Sequence, residues 1–404
     1  MLALNGVRII ELVHLPPGEF CTMMLGDMGA DIIKVEALPN SGRGAGLFSG
    51  QQAETLKNSQ AFNALNRNKK SIRLNLKSED GKQVFYRLVK DADVVVEGFR
   101  PGAVKRMGVD YETLSKINPR LVYCSLSGYG QDGPYSQYSG HDINYISIAG
   151  ALNLMGWPDQ PPAIPLNLLA DFAGASLNGA LGIMAALFAR TQTGRGQHVD
   201  ISYTDSVVTI MTFVLQFHLG AGLTFPRGEW ALAGGYPYYK TYSTMDGKMI
   251  SLGCLEPWFW EKFCKTVGRD DLKNYCFDSS HFVQKPADPK WKEVEDEVKK
   301  IFLTKTRDEW FELLVKNDVP AGKVYSIEEI FTDPQLLHRK MLLEFDHPTL
   351  GKIKHPGISI KLSDTPGKVR SLAPYSGEHT DAVLHKLGYS NEEIESLRKA
   401  NTIG

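Results

Sequence analysis

The chain has little excess charge of either sign: 45 Lys and Arg stand against 46 Asp and Glu, a formal net charge of −1 over 404 residues. That balance argues against a nucleic-acid-binding protein, which needs a clear basic excess, while leaving room for a local basic pocket for a small anion. Cysteine is scarce: Cys21, Cys124, Cys254, Cys264 and Cys276. An odd count without a CxxC pair speaks against a disulfide framework or a zinc site. It fits reduced, mostly buried thiols in a cytoplasmic protein. The longest apolar run, around residues 180–189, falls well short of the ~20 residues that span a bilayer. No membrane association is expected. Residues 1–11 are strand-like and interrupted by Asn5, Gly6 and Arg8, unlike a signal peptide. Several catalytic signatures are missing too. There is no GxSxG elbow, no Walker A motif and no HExxH. The turn after the first strand reads HLPPGEF rather than GxGxxG, so NAD binding is unsupported. Neither internal repeats nor low-complexity segments occur.

What is present is an ordinary globular composition, 43% hydrophobic and 23% charged, in a chain long enough for two domains with full cores. Strand signals at residues 7–13, 31–35, 71–76, 93–97 and 120–126 alternate with helical stretches, notably residues 79–90. That alternation predicts an α/β fold: a Rossmann-like, doubly wound parallel sheet. A polar, Gly-rich segment interrupts it at residues 38–59. One helix is expected from Asp142 into Leu154. Another, rich in Gly and Ala, is expected from Asp171 to Thr193-Gly194 and suggests close backbone packing. After residue 225 a hairpin signal at residues 245–248 and charged helical segments at residues 257–314 read as a smaller α+β domain. Strand character returns near residue 353, and a helix pair at residues 379–387 and 391–399 closes the chain.

Four features could carry chemistry. Asp171 follows an apolar run (PLNLLA) and precedes the small-residue helix, which reads as N-cap geometry. A capping role alone would explain it. A carboxylate at a strand-to-helix turn also sits where α/β sheets bind ligands, beside N–H groups able to hold an oxyanion. His141, in SGHDINY, suits general acid–base work near neutral pH, though a lone His is more commonly just a satisfied polar residue. Gly140 beside it permits close backbone approach. Glu256, in GCLEP, is a third carboxylate, in the second domain. The basic run Arg67, Lys69, Lys70, Arg73 and Lys77, with Arg100 after the fourth strand, is either a solvated face or a phosphate rim. No metal-ligand spacing is evident.

These residues stand in segments that together resemble the class III CoA-transferase and α-methylacyl-CoA racemase family. The matching stretches include GVRIIELVHLPPGEFCTMMLGDMGADIIKVE, ALNRNKKSIRLNLKSEDGK, ADVVVEGFRPGAVKRMG, SGYGQDGPYSQYSGHDINYISIAGAL, PLNLLADFAGAS, TGRGQHVD and SGEHTDAVLHKLGYSNEEI, spread over nearly the whole chain. The resemblance implies a large Rossmann-like CoA-binding domain (residues 1–200), a linker (201–229), a small domain (230–325), and a return linker with the last part of the large domain (326–404). It also implies an interlocked, ring-like homodimer, with a related second subunit as the alternative. Coenzyme A enters as part of the acyl-CoA substrate, and no cofactor is bound covalently.

Asp171 falls on the position used by the family's transferases as a nucleophile and by its racemases as an acid–base. The complete GHDINY motif gives His141 the racemase role by resemblance, and Glu256 stands where racemases carry a Glu-Pro pair. Asp171 lies 30 positions after His141, and Glu256 a further 85. CoA or substrate contacts are implied at Lys34, Leu74, Asn75, Leu76, Lys77, Arg100, Gly140, Asp142, Ile143, Asn144 and Tyr145. Ala37 departs from the basic CoA contact of racemases, with Lys34 as the nearby substitute. The long polar segment is more transferase-like, whereas VHLPPGEF resembles the racemase form. Racemisation of a 2-methylacyl-CoA is the first expectation and CoA transfer the second.

Overall fold

The computed structural model describes residues 1–38, 63–282, 288–347 and 350–404. The polar segment of residues 38–59 therefore lies, beyond its first residue, outside the described residues. Two compact units are present. The first comprises Met1–Ile146, Leu166–Thr209 and Gln335–Gly404; the second comprises Ser147–Pro165 and Ile210–Pro334.

The first unit holds a six-stranded parallel sheet: β1 (Arg8–Leu12), β2 (Asp31–Glu36), β3 (Lys69–Arg73), β4 (Val94–Glu97), β5 (Val122–Ser127) and β6 (His198–Ser202). Their order is β3-β2-β1-β4-β5-β6. This is the doubly wound arrangement, in which the order reverses at β1 and ligands meet the carboxyl ends of the strands. Five of the strands are those expected from the apolar runs, and β3 begins two residues earlier than its run suggested. The sixth went unread because β6 lies at the sheet edge and alternates exposed and half-buried residues, without the continuous apolar pattern of a buried parallel strand.

Helix α1 (Pro16–Asp27) connects β1 to β2 and opens on two prolines, whose fixed φ and missing N–H suit a first helical turn. Helix α2 (Glu79–Lys90) has the expected bounds. Ser78 caps it by accepting from the Gly81 N–H at 3.1 Å, with acidic residues in its first turn and basic ones in its last. Helices α3 (Ala103–Met107) and α4 (Tyr111–Ile117) lead from β4 to β5. The helix expected from Asp142 to Leu154 is shorter: α5 spans Asp142–Ile148, Gly150 at φ 84° breaks it, and a 3-10 turn covers Leu152–Leu154.

The small-residue helix begins as a π-helix, Leu168–Ser176, and continues as α6 (Leu177–Thr193), ended by Gly194 at φ 72°. Its small residues are required by packing: a Cβ on Gly179 would lie 3.0 Å from Leu126 Cδ2 and 3.2 Å from Cys21 Sγ. Joined, these two helices make a 26-residue helix apolar and long enough by composition to cross a bilayer, a length the broken apolar runs of the sequence concealed. It packs on α1, β5 and β6 within this unit. Ile10, Leu12, Val35, Ile72, Val95 and Tyr123 of the sheet form a core with Val84, Phe85, Leu88 and Val89 of α2. The C-terminal helices Thr380–Lys386 and Asn391–Lys399 add Val383, Leu384 and Ile394 to it. The strand character expected near residue 353 belongs to an antiparallel pair, Leu342–His347 with Gly351–Pro356, and stops at the proline.

After α7 (Tyr203–Ile210), the second unit contains α8 (Thr212–Ala221) and an antiparallel sheet β7 (Tyr239–Ser243), β8 (Met249–Gly253) and β9 (Ala321–Val324). The hairpin at residues 244–248 is as expected, with Gly247 at φ 73°. Helices α9 (Pro257–Val267), α10 (Lys290–Phe302) and α11 (Arg307–Lys316) complete the unit. Tyr236, Tyr238, Tyr242 and Trp260 are buried in its core.

Candidate active site

Asp171 is not the N-cap. Leu166 turns the chain at φ 58°, the helix starts at Leu168, and Asn167 occupies the cap position without making a capping hydrogen bond. Asp171 is thus one turn inside the helix. The first N–H groups of any helix lack intrahelical partners, and here Asp142 supplies one from a distance. Its Oδ2 accepts from the N–H of Ala170 at 2.7 Å and of Asp171 at 2.9 Å. Asp142 is buried, and leaving those two donors unmet would cost ~1–3 kcal/mol each. The N–H groups expected to serve an oxyanion are, at these two residues, already committed. Ser176 adds a second tie, its hydroxyl lying 2.7 Å from both the Asp171 and Pro17 carbonyls.

Asp142 directly follows His141, so the cap that orders the Asp171 backbone also carries the imidazole to the same place. His141 starts α5: its carbonyl accepts from Tyr145 N–H at 3.2 Å and its own N–H donates to Asn144 Oδ1 at 3.0 Å. Its side chain is exposed. Tyr145 is buried, and its hydroxyl donates to the Gly140 carbonyl at 2.6 Å. The close approach that Gly140 permits is that of this ring, since a Cβ there would sit 2.6 Å from Tyr145 Cε1. The same ring lies on Gly128, just past the end of β5, and meets Tyr203 edge-on at 5.3 Å. The cluster thereby stands at the carboxyl edge of the sheet.

Burial pushes the Asp171 carboxyl up to about 6, with Asp142 adding to the rise; a hydrogen bond from Asn167 and the nearby His141 oppose it. That bond runs from Asn167 Nδ2 to Asp171 Oδ2 at 3.1 Å. Sequence reading missed Asn167; its spacing of four residues from Asp171 was the available signal. A carboxyl that titrates near neutrality can both take and return a proton, as well as attack an electrophile when ionised.

The other implied contacts divide. Arg100, after β4, joins the cluster through a 2.5 Å hydrogen bond to Ser139. Ile143 and Asn144 are exposed on the first turn of α5. Leu74, Asn75, Leu76 and Lys77 follow β3. Leu74 bridges to Ile403, and Asn75 bonds the Thr402 carbonyl through its N–H at 2.8 Å, so the chain end anchors this loop. Lys77 is exposed there. Lys34 is buried in an ionic cluster, hydrogen-bonded to Glu19 and 3.7 Å from Glu11. Lys69 pairs with Glu11 at 2.7 Å in the same cluster, and Arg67 pairs with Asp27 at 2.6 Å. These two members of the basic run are neither a solvated face nor a rim; both are almost wholly buried. Glu256 lies in the second unit as the residue before α9, half-buried.

The first unit is thus a doubly wound α/β unit with a carboxylate and a histidine brought together at the carboxyl edge of its sheet. The family follows from comparison. A family model described as CoA-transferase family III matches residues 4–380, and the chain belongs to that family. It is 34% identical to the α-methylacyl-CoA racemase of Homo sapiens, over all of this chain and 98% of the relative. It is also 34% identical to the formyl-CoA:oxalate CoA-transferase of Bradyrhizobium diazoefficiens, over 99% and 97%. Among solved structures, a CAIB/BAIF family protein from Brucella suis aligns with a TM-score of 0.78 and 30% identity, over 96% of this chain and 99% of that one. The chain thus sits in an enzyme family of racemases and CoA-transferases that act on CoA thioesters.

Proposed function

We propose that the protein interconverts (R)- and (S)-2-methylacyl-CoA thioesters by 1,1-proton transfer. Asp171 and His141 are the acid–base pair, one taking the α-proton and the other returning a proton to the opposite face of the enolate. The observation that carries this reading is their shared anchor: Asp142 follows His141 and binds the N–H of Asp171 at 2.9 Å. A carboxyl pushed up to about 6 supports it, because a weakly acidic C–H calls for a base matched to neutral pH. Glu256 is proposed as the third catalytic group. Arg100, Lys77 and the residues 74–76 loop, with Gly140 and the turn from Asp142 to Tyr145, are proposed to hold the CoA moiety and thioester. The proposed working form is a homodimer, for which an exposed apolar stripe on α6 (Leu177, Leu181, Met184, Phe188) is the support. The reaction is proposed to take place in the cytoplasm.

The second reading is CoA transfer, favoured by the equal identity to a formyl-CoA:oxalate CoA-transferase. There the Asp171 carboxylate attacks the thioester carbonyl and expels CoA thiolate, leaving a mixed anhydride. The thiolate then attacks the aspartyl carbonyl, releasing the acid and forming an aspartyl–CoA thioester, which the acceptor carboxylate resolves.

One incubation separates the two. A single stereoisomer of a 2-methylacyl-CoA in D₂O should lose its configuration and gain deuterium at the α-carbon without any added acid. Strict dependence of all turnover on a free carboxylic acid, with an acyl-aspartate trapped by hydroxylamine, would establish transfer instead.

A further inference from the structure

Asn167 occupies a helix N-cap yet does not cap. Asparagine is among the favoured N-cap residues because its side-chain oxygen accepts from the N–H groups of the first turn. Here that work is done by Asp142, 25 positions earlier in the chain, on the N–H groups of Ala170 and Asp171. The Asn167 side chain is left for another partner, and its Nδ2 donates to Asp171 Oδ2 at 3.1 Å. A carboxylate can only accept, so the amide must present its nitrogen.

The backbone bears a strain in producing this. Leu166 holds φ 58°, a left-handed conformation that is rare for a bulky residue. Such strain persists only where surrounding contacts over-determine it, and it gathers at functional sites. Leu166 is itself exposed, so its own side chain gains little from the turn. What the turn achieves is to set Asn167 one helical turn before Asp171.

We infer that Asn167 is a positioning residue, whose amide fixes the orientation of the Asp171 carboxylate for the reaction at this site. The inference rests on the reading of Asp171 as the reacting carboxylate. Only one Asp171 oxygen, Oδ2, receives the amide, which leaves Oδ1 as the oxygen directed to substrate. The other ionisable groups acting on Asp171 are Asp142, which raises its pKa, and His141, which lowers it. The phenols of Tyr145 and Tyr203 also face it and are themselves raised above their usual value, chiefly by burial. From α1, Phe20 meets Phe172 at 5.2 Å and the Pro17 carbonyl accepts from Ser176; the neighbouring Cys21 thiol is pushed up to about 12 by burial and is neutral, and Glu19 is paired with Lys34.

The test uses the full-length chain and two readouts. The carboxyl stretch of Asp171, assigned in difference infrared spectra by its loss in Asp171→Asn, is titrated in the wild type, Asn167→Ala and Asn167→Asp. Removing the donor in Asn167→Ala should move the Asp171 midpoint to higher pH. Asn167→Asp, of nearly the same shape, should move it further by placing a like charge alongside. In parallel, α-proton exchange of a 2-methylacyl-CoA should fall about tenfold or more in kcat for Asn167→Ala, with KM within about threefold, the pattern of a group that acts on the chemical step. A midpoint unchanged in both variants overturns the inference, and so does a loss of thermal stability with normal titration and kcat, which is the mark of a helix cap. The infrared midpoint does not depend on turnover. Full activity in Asp171→Asn would therefore overturn the reading of Asp171 separately from that of Asn167.

Discussion

Replacing Asp171 by Asn should inactivate the protein and, above pH 6, stabilise it. The carboxyl titrates at about 6 in the folded chain because burial disfavours its charge, against 3.8 for an ordinary aspartate. A folded pKa above the unfolded one means that the ionised form opposes folding. The penalty is absent below pH ~3.8, accumulates as pH rises toward 6, and is complete above it. At ~1.4 kcal/mol per pH unit, the gap bounds the penalty at about 3 kcal/mol. Solvent reaches part of the side chain and screens the charge, so ~1–2 kcal/mol is the expected gain from the isosteric amide, or ~1–2 °C in Tm for a chain of this length. Thermal unfolding of both proteins should be followed from pH 4 to pH 8. The variant's advantage should be small at pH 4, grow through pH 6 and then level off. A variant less stable at pH 8, or an offset independent of pH, would refute the electrostatic account of this site.

His141→Ala should abolish α-deuterium exchange, yet slow any CoA transfer only ~10- to 100-fold, as judged by thioester turnover with and without a free acid. Asp142→Asn removes a negative charge that raises the Asp171 pKa, so the acid limb of the pH–rate profile should move below 6; an upward move would contradict the assigned sign. Lys69→Met removes the 2.7 Å partner of the buried Glu11 carboxylate, leaves it Lys34 at 3.7 Å, and should cost ~3 kcal/mol in urea unfolding, most of it recovered by adding Glu11→Gln.

Sequence by itself determined the α/β class, five of the six sheet strands and the bounds of α2 and the last helix. These follow from local pattern: apolar runs for strands buried on both faces, a Ser cap with an acidic first turn for α2, a Ser-x-x-Glu box for Asn391–Lys399. Asp171 and His141 were also legible as candidates, by residue type and by resemblance. Only the tertiary structure decided how they are joined. It is the folding of the sheet that brings Asp142 onto a helix beginning 26 positions later, shifting the cap role away from both Asp171 and Asn167. The basic run shows the same limit, since Arg67 and Lys69 look like surface charges until Asp27 and Glu11 meet them in the interior. Periodicity and capping act within one or two turns of chain. Ion pairs and donated caps act through space, and their partners become neighbours only when distant segments pack.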